Sequence, residues 1–327
     1  MSAISDTDLV GVRFRDVPSR RSRGILIDPR CDLPYYTAFL AGLAEIGERP
    51  RFTRLSGPVG AHLRAEVDGR RLVVDAGDRA TLDEAIVGWA DVVAKVNMPQ
   101  SAPDAQTEMH PIGPMFGVRW WTLPAGYLMV ARLAAAGAAP ATALKAIRFQ
   151  GITRLPIAYY QPLEAEDDYV FHRSREWGSR HSEADEPRRR FIAALQSLGV
   201  AGTASLEHDR IPLAEYIRLT QRSTCVFNSP AVHGCLGWKL GEYLALGKAI
   251  VSTRLERALP SPLVHGTHLH FVDDDVDSIR DGLRTVMGDR DYRRSLETGA
   301  RQWYDSHLRP DALAHRVLGL VRGISAS

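Results

Sequence analysis

The sequence has 327 residues, of which 45% are apolar, so it can bury a large core and form two domains. Its 41 basic and 39 acidic residues give a net charge of +2, which provides no basic excess for binding nucleic acid. The three cysteines lack CxxC or Cys/His ligand spacing, which argues against a disulfide framework or a zinc site.

Residues 1–23 are polar and carry five arginines. We interpret them as a solvated segment ahead of the fold, in preference to an arm that binds phosphate or membrane. They contain no apolar stretch like that of a secretory signal, so we expect a reducing, cytoplasmic location.

The fold is predicted to begin with a buried strand over residues 24–28. This strand ends at Asp28, and a loop containing Asp32 leads into a helix over residues 35–46. Ligands of α/β proteins bind at the carboxyl ends of strands, so this loop opens where a ligand would lie.

Three more strands are predicted next, over residues 51–55, 72–75 and 91–99. The second of them follows Asp68-Gly69, a dipeptide typical of a hairpin turn. The third carries Lys95 and Asn97 near its end, and polar groups there are either acceptor-binding groups or loop caps. These elements together predict an α/β unit.

Residues 111–139 are rich first in aromatic residues and then in alanine. Arg132 interrupts the alanine-rich part, which therefore does not predict a transmembrane span. We favour a helix buried against the preceding sheet. The alternative is a helix on the inner membrane face with Arg119, Trp120 and Trp121 at the head groups.

The passage to a second domain is predicted between residues 153 and 168. The next strand, over residues 169–172, ends beside Arg173 and Arg175. Their guanidinium groups can bind phosphate oxygens with two donors each, or form surface ion pairs. The acidic run at 273–275 predicts a turn and a helix N-cap in preference to metal ligands.

Residues 225–253 predict a βαβ unit made of a strand, a glycine loop, a helix and a second strand. In such a unit an anion binds where loop amides and a helix N-terminus face it, here between Gly234 and Lys239. Glu242 lies one turn further on and can accept hydrogen bonds from the vicinal hydroxyls of a sugar. These residues together predict a nucleotide diphosphate as the ligand.

This stretch resembles the donor-binding half of GT-B glycosyltransferases, the group that uses nucleotide sugars. Their pattern is Glu-Gly-Phe-Gly, a helix with a second Glu eight positions after the first, then Ala, Gly-Lys and a strand ending in Thr. The chain follows it at His233-Gly234-Cys235-Leu236-Gly237, Glu242, Ala245, Gly247-Lys248 and Ser252-Thr253. The first Glu falls on Gly234, so its contact with the donor sugar is vacant or passes to His233 or another segment.

The resemblance implies an α/β fold of GT-B architecture, with two Rossmann-like domains facing a central cleft. Residues 1–160 are expected to form the acceptor-binding domain and residues 161–300 the domain that binds the nucleotide sugar. A helix within 301–327 is expected to cross back to the first domain.

The resemblance also implies site residues. The expected donor-binding residues are Arg173, Arg175, His208, Gly234, Gly237, Lys239 and Glu242. Of these, Glu242 resembles the residue that holds the ribose. Lys95 and Asn97 are the expected acceptor-binding residues.

The expected function is transfer of a sugar from a nucleotide-diphosphate sugar to an acceptor hydroxyl, in the synthesis of a bacterial surface glycan or glycoconjugate. The acceptor is expected to be a glycan, a lipid-linked compound or a small molecule, and no cofactor or metal is expected. An inverting reaction needs a base, for which Asp28 and Asp32 are the candidates. His233 is the expected contact to the donor sugar, and peripheral contact of the first domain with a membrane stays open.

Two other functions remain open. The same fold supports a nucleotide-sugar epimerase or phosphorylase, and Gly234 motivates a non-catalytic protein that binds a nucleotide sugar without turnover. A dinucleotide dehydrogenase is disfavoured because neither the strand at 24–28 nor that at 225–228 is followed by a GxGxxG loop.

Overall fold

The computed structural model describes residues 24–100, 108–120, 123–148, 153–207 and 211–323. The strands in these ranges are β1 (Ile25–Ile27), β2 (Arg51–Phe52), β3 (Leu63–Val67), β4 (Arg70–Asp75), β5 (Val92–Lys95), β6 (Glu108–Pro111), β7 (Tyr169–Ser174), β8 (Ala201–Leu206), β9 (Val226–Asn228), β10 (Ile250–Ser252) and β11 (His270–Phe271). The α-helices are α1 (Thr37–Glu45), α2 (Glu84–Trp89), α3 (Leu123–Ala135), α4 (Pro140–Arg148), α5 (Ser182–Leu198), α6 (Leu213–Arg222), α7 (Trp238–Ala245), α8 (Val276–Gly288), α9 (Arg290–His307) and α10 (Pro310–Arg322). The predicted α/β fold class is confirmed.

The first sheet is mixed and has the strand order β2-β1-β3-β4-β5-β6. β1 is parallel to β2, and β4, β5 and β6 are parallel to one another, whereas β3 is antiparallel to both of its neighbours. Asp68 and Gly69 join β3 to β4 with φ values of 51° and 87°, so the predicted hairpin turn is confirmed. β3 itself was not predicted, although its apolar residues alternate with charged Arg64 and Glu66 as in a half-buried strand.

The second sheet consists of two groups of paired strands, β11-β10-β9 and β7-β8, and every pair is parallel. β9, β10 and β11 pair in parallel, as do β7 and β8. The Thr224 N–H donates to the Tyr169 carbonyl at 2.7 Å and joins β7 to the segment leading into β9, so the spatial order is β8-β7-β9-β10-β11. The order reverses between β7 and β9.

Helices cover both faces of the second sheet. Phe227 of β9 stacks on Phe191 of α5, with ring centroids 4.5 Å apart. Val226 and Ile250 belong to the other apolar cluster, which includes buried residues of α7 and α9. This alternation along β9 is expected for a strand buried on both faces.

The last helix packs on the first sheet's helix layer. α9 ends at His307, and α10 begins with Pro310 and lies against α1 so closely that a Cβ at Gly42 would be 1.8 Å from the Pro310 carbonyl oxygen. Arg70 of β4 donates to the Val321 carbonyl at 2.6 Å. α10 therefore completes the packing of the first sheet although it follows the second in the chain.

None of the helices in the described ranges combines the length and the hydrophobicity needed to cross a bilayer. The alanine-rich stretch forms α3, which is followed by α4. The domain limits 1–160, 161–300 and 301–327 stay predictions. The strands of the first sheet lie between Ile25 and Pro111, and those of the second between Tyr169 and Phe271.

Candidate functional site

The carboxyl ends of β7 and β9 flank the point where the strand order of the second sheet reverses. In open α/β sheets such a switch point creates a crevice, because the loops that follow the two strands run in opposite directions. Arg173 and Ser174 end β7, and Asn228 ends β9. The candidate site therefore lies at these two strand ends.

The loop between β9 and α7 is held in a tight turn by its own backbone. The Gly234 N–H donates to the Ala231 carbonyl at 3.0 Å, and the Ala231 N–H to the Cys235 carbonyl at 2.9 Å. His233 and Gly234 both have left-handed backbones, with φ values of 59° and 66°. The His233 side chain is exposed, and its ring lies 5.3 Å from the ring of His181.

Lys239 lies in the first turn of α7 and reaches across the switch point. Its ammonium donates to the Ser174 hydroxyl at 2.7 Å and to the Arg173 carbonyl. Burial, with the nearby Arg188 guanidinium, lowers the pKa of Lys239 to about 7. Both hydrogen-bond partners are neutral, and in the described part of the chain no carboxylate lies within ion-pair distance of this ammonium.

The N-terminus of α7 has no side-chain cap. Gly237 is the N-cap residue, so no side-chain oxygen can accept from the first N–H groups of the helix. Those groups carry the positive end of the helix dipole. With Lys239 in the same turn, this end of α7 is suited to an anion.

Glu242 is buried one turn further along α7, with 5% of its surface exposed. Burial raises its carboxyl pKa to about 7, and the positive charges of Arg154 and Lys239 only partly oppose this effect. The carboxylate offers almost no surface to a ligand in this conformation. Its contact with a ribose therefore stays a prediction.

The two arginines at the end of β7 have different surroundings. Arg173 forms an ion pair with Glu207, which follows β8. Arg175 is exposed, and its guanidinium lies 5.1 Å from the centre of the Trp177 ring. Both are at the switch point, and only Arg173 is paired with a carboxylate at this edge of the sheet. His208, the remaining predicted donor-binding residue, lies outside the described residues.

Two adjoining cavities lie at the carboxyl ends of the second sheet. One, of about 410 Å³, is lined by the loop before α7, including His233 and Gly234. The other is about 1110 Å³. Arg254 and Glu256, which follow β10, line both cavities.

Three residues of this wall were not predicted from the sequence. Thr253 lines the smaller cavity, and its buried hydroxyl has no hydrogen-bond partner among the described residues. Arg254 and Glu256 form no hydrogen bond or ion pair with any residue in the described ranges. The one available signal was their position immediately after a parallel strand, where ligand contacts concentrate.

Asp28 is buried and surrounded by hydrogen-bond donors, and its role as a base stays a prediction. It is 1% exposed, accepts from the backbone and side chain of Arg30 at 3.0 and 2.9 Å and from the Leu55 N–H at 3.0 Å, and pairs with Arg64. Burial would raise its pKa, but the hydrogen bonds and the Arg64 charge outweigh this effect and lower it. A carboxylate so engaged is a poor base.

Asp32 remains accessible. Both of its carboxylate oxygens accept from the Lys145 ammonium of α4, at 2.7 and 2.8 Å. This ion pair is partly exposed to solvent. Asp32 is therefore the better of the two carboxylates predicted as a base.

Lys95 and Asn97 do not lie on an open acceptor surface. Lys95 is fully buried and pairs with Asp75. Asn97 donates to the Gly77 carbonyl at 2.8 Å and accepts from the Leu236 N–H at 2.7 Å. Asn97 therefore connects the first sheet's loops to the loop before α7, and the buried pairing of Lys95 stabilises β4 and β5.

In the part of the chain that the structure describes, no three His, Cys, Asp or Glu side chains converge in a geometry that could hold a metal ion. The two α/β units, the switch point in the second and the return of α10 to the first form the GT-B arrangement.

No protein-family model matches the chain, and no curated protein matches its sequence. Among solved structures, three similar ones are the following. A glycosyltransferase from Rickettsia africae is 9% identical, with 90% of this chain and 94% of that chain covered and a TM-score of 0.41. A sucrose-phosphate synthase from Thermosynechococcus elongatus is 13% identical, with 87% and 91% covered and a TM-score of 0.38. HepE from Anabaena, solved with UDP and glucose, is 12% identical, with 73% and 65% covered and a TM-score of 0.38.

Proposed function

We propose that the protein is a glycosyltransferase that moves a sugar from a nucleotide-diphosphate sugar to an acceptor hydroxyl. The observation that carries this proposal is Lys239, a half-buried ammonium with neutral partners at the uncapped N-terminus of α7. Placing a cation where no carboxylate neutralises it is costly unless an anion completes the site. A diphosphate at the switch point would supply that anion.

The chemistry of the proposed reaction explains why such a site suits it. As the bond between the sugar carbon and the diphosphate oxygen breaks, its electron pair stays on that oxygen and negative charge grows there. The α7 amides and Lys239 would stabilise this charge. The acceptor oxygen forms the new bond and loses its proton, for which Asp32 is the candidate base from the first unit.

The remaining assignments complete the proposal. Arg173 and Arg175 would contact the diphosphate, and Glu242 would hold the ribose after a movement that exposes its carboxylate. The domain limits 1–160, 161–300 and 301–327 are part of it. We propose a glycan, a lipid-linked compound or a small molecule as the acceptor, and the cytoplasm or the inner membrane face as the location.

A thermal-shift experiment tests the proposal. UDP, GDP, ADP and dTDP are each added to the full chain, and at least one is expected to raise the melting temperature. A ligand at about a hundred times its Kd adds about 2.7 kcal/mol to the free energy of unfolding. Lys239→Met, which keeps the apolar stem, should remove most of that shift, whereas Lys145→Met on the surface of α4 should keep it.

The proposal is wrong if none of the four diphosphates changes the melting temperature, or if Lys239→Met retains the full shift. A second function is favoured by one observation, namely that both carboxylates predicted as a base are ion-paired. A protein that binds nucleotide sugars without turnover would show the shift but release no nucleoside diphosphate from the sugar nucleotide when acceptors are supplied.

A further inference from the structure

Glu256 lies where a side chain on Gly234 would begin. A Cβ built on Gly234 would be 2.4 Å from Oε2 of Glu256, closer than any real Cβ contact. The left-handed backbone of Gly234 favours glycine at the position, and an added Cβ would also displace the Glu256 carboxylate. The turn before α7 therefore leaves room for a carboxylate that comes from a different loop.

The segment that carries Glu256 is held from several sides. The Thr253 N–H donates to the Asn228 carbonyl of β9 at 3.2 Å, and the Arg257 guanidinium donates to the His233 carbonyl. From the first unit, the Gln100 amide donates to the Leu255 carbonyl at 3.1 Å. The backbone on each side of Glu256 is therefore held in place at the edge of the two cavities.

No neighbouring side chain in the described part of the chain gives the Glu256 carboxylate a structural role. Glu256 has no hydrogen-bond or ion-pair partner among the described residues, and it faces both cavities. The buried Thr253 hydroxyl on the same wall is also without a partner. A buried hydroxyl without a partner is rare in a folded protein and indicates a group that a ligand completes.

We propose that Glu256 recognises the sugar of the nucleotide sugar by accepting hydrogen bonds from two adjacent hydroxyls, with Thr253 as a further hydroxyl partner and Arg254 facing the phosphates. This inference rests on the proposed function and deepens it. A carboxylate with four acceptor positions fits vicinal hydroxyls, and the adjoining guanidinium fits phosphate oxygens. His233, the residue expected from the sequence, contributes its backbone carbonyl to Arg257 and so supports the wall.

The test compares the affinity for a free nucleoside diphosphate with the affinity for the corresponding nucleotide sugar. Calorimetric Kd values are measured for UDP, UDP-glucose, GDP and GDP-mannose with the full-length wild type and with Glu256→Gln. Glutamine keeps the shape but loses the charge and part of the acceptor capacity. We expect Glu256→Gln to weaken binding of the nucleotide sugar about tenfold to a hundredfold and to leave binding of the free diphosphate within about twofold.

Glu183→Gln is the matched control, because Glu183 lines the same cavity but its carboxylate pairs with His181. It should leave both Kd values nearly unchanged. Equal weakening of diphosphate and nucleotide sugar by Glu256→Gln, or no weakening of either, overturns the role of Glu256 while leaving the proposed function standing. Failure of every diphosphate to bind the wild type overturns the proposed function itself.

A double-mutant cycle tests the geometry without any ligand. Gly234→Ala strains the backbone in any background, but it also meets the Glu256 carboxylate. Its cost in stability should therefore be smaller in a Glu256→Ala protein than in the wild type. Equal costs in the two backgrounds would contradict the contact on which the inference rests.

Discussion

Lys239 and Glu242 occupy successive turns of α7, and burial moves their pKa values toward each other. It lowers the pKa of the Lys239 ammonium to about 7 and raises that of the Glu242 carboxyl to about 7. Burial disfavours the charged form of each group, which is why the directions are opposite. At neutral pH neither charge is fixed, and a ligand's own charge decides which protonation state is favoured.

Binding of a nucleoside diphosphate is accordingly expected to take up protons near pH 7. The anion stabilises the protonated form of Lys239, so the pKa of this ammonium rises on binding. By linkage, the affinity that Lys239 contributes is highest below its free-state pKa and falls as the pH rises through about 7 toward the higher value of the complex. The measurement is the Kd of the diphosphate between pH 6.5 and 9, with calorimetry in buffers of different ionisation enthalpy to count the protons.

Lys239→Met serves as the comparison, because it removes this titrating group. The variant should take up fewer protons than the wild type. A Kd that is constant over this range in the wild type would contradict the expectation.

Single residues also show where sequence reasoning ends. The glycines and charged residues at 233–242 could be assigned to a ligand site because they form a local pattern. The contact of Asn97 with Leu236 could not be predicted, since the two residues are 139 positions apart. Glu256 has no local motif and gains its position only when the segment after β10 folds against Gly234.

Among the elements, those with a continuous apolar run were predicted well. Residues 225–253 contain β9, α7 and β10 in the predicted order. β3 was missed because the ion pair between Arg64 and Asp28, two residues far apart in sequence, allows a charged side chain to be buried in it. The close packing of α1 and α10 could not be predicted either, because it depends on the absence of a side chain at Gly42.

Gly42→Ala is expected to destabilise the protein even though alanine is the better helix former. Propensity alone would stabilise α1 by about 1 kcal/mol. The added methyl group would instead lie 1.8 Å from the Pro310 carbonyl oxygen and force α10 away, at a cost of about 1 to 3 kcal/mol. The free energy of unfolding in urea measures the outcome.

Gly88→Ala in α2 is the control, because a Cβ there meets no atom within 4 Å. It should leave stability unchanged or raise it. If Gly42→Ala also raises stability, the close approach of α1 and α10 is wrong.

On the scale of the whole molecule, polar contacts connect the first unit to the second beside the candidate site. Asn97 accepts from the Leu236 N–H, and Cys235 lies 3.7 Å from Asp78 through its Sγ and a carboxylate oxygen. Both contacts end on the loop that leads into α7. The proposed anion site is therefore positioned partly by the first unit.

Asn97→Ala should lower the free energy of unfolding by about 1 to 3 kcal/mol, because it leaves the buried Leu236 N–H without an acceptor. It should also weaken diphosphate binding, since the loop before α7 loses its support. Gln100→Ala is the comparison, as it removes an exposed amide-to-carbonyl bond between the same units. Equal effects of the two substitutions on stability would show that burial of the Asn97 contact is unimportant.

The docking of α10 onto α1 also sets an order for biosynthesis. While the ribosome is still making the second unit, the α1 surface that Pro310 and Ala314 will cover has no partner. The half of the chain made first is thus the half finished last, and it must stay incomplete until residues 310–322 have been synthesised. During that interval its exposed apolar surface would be a natural target for chaperones.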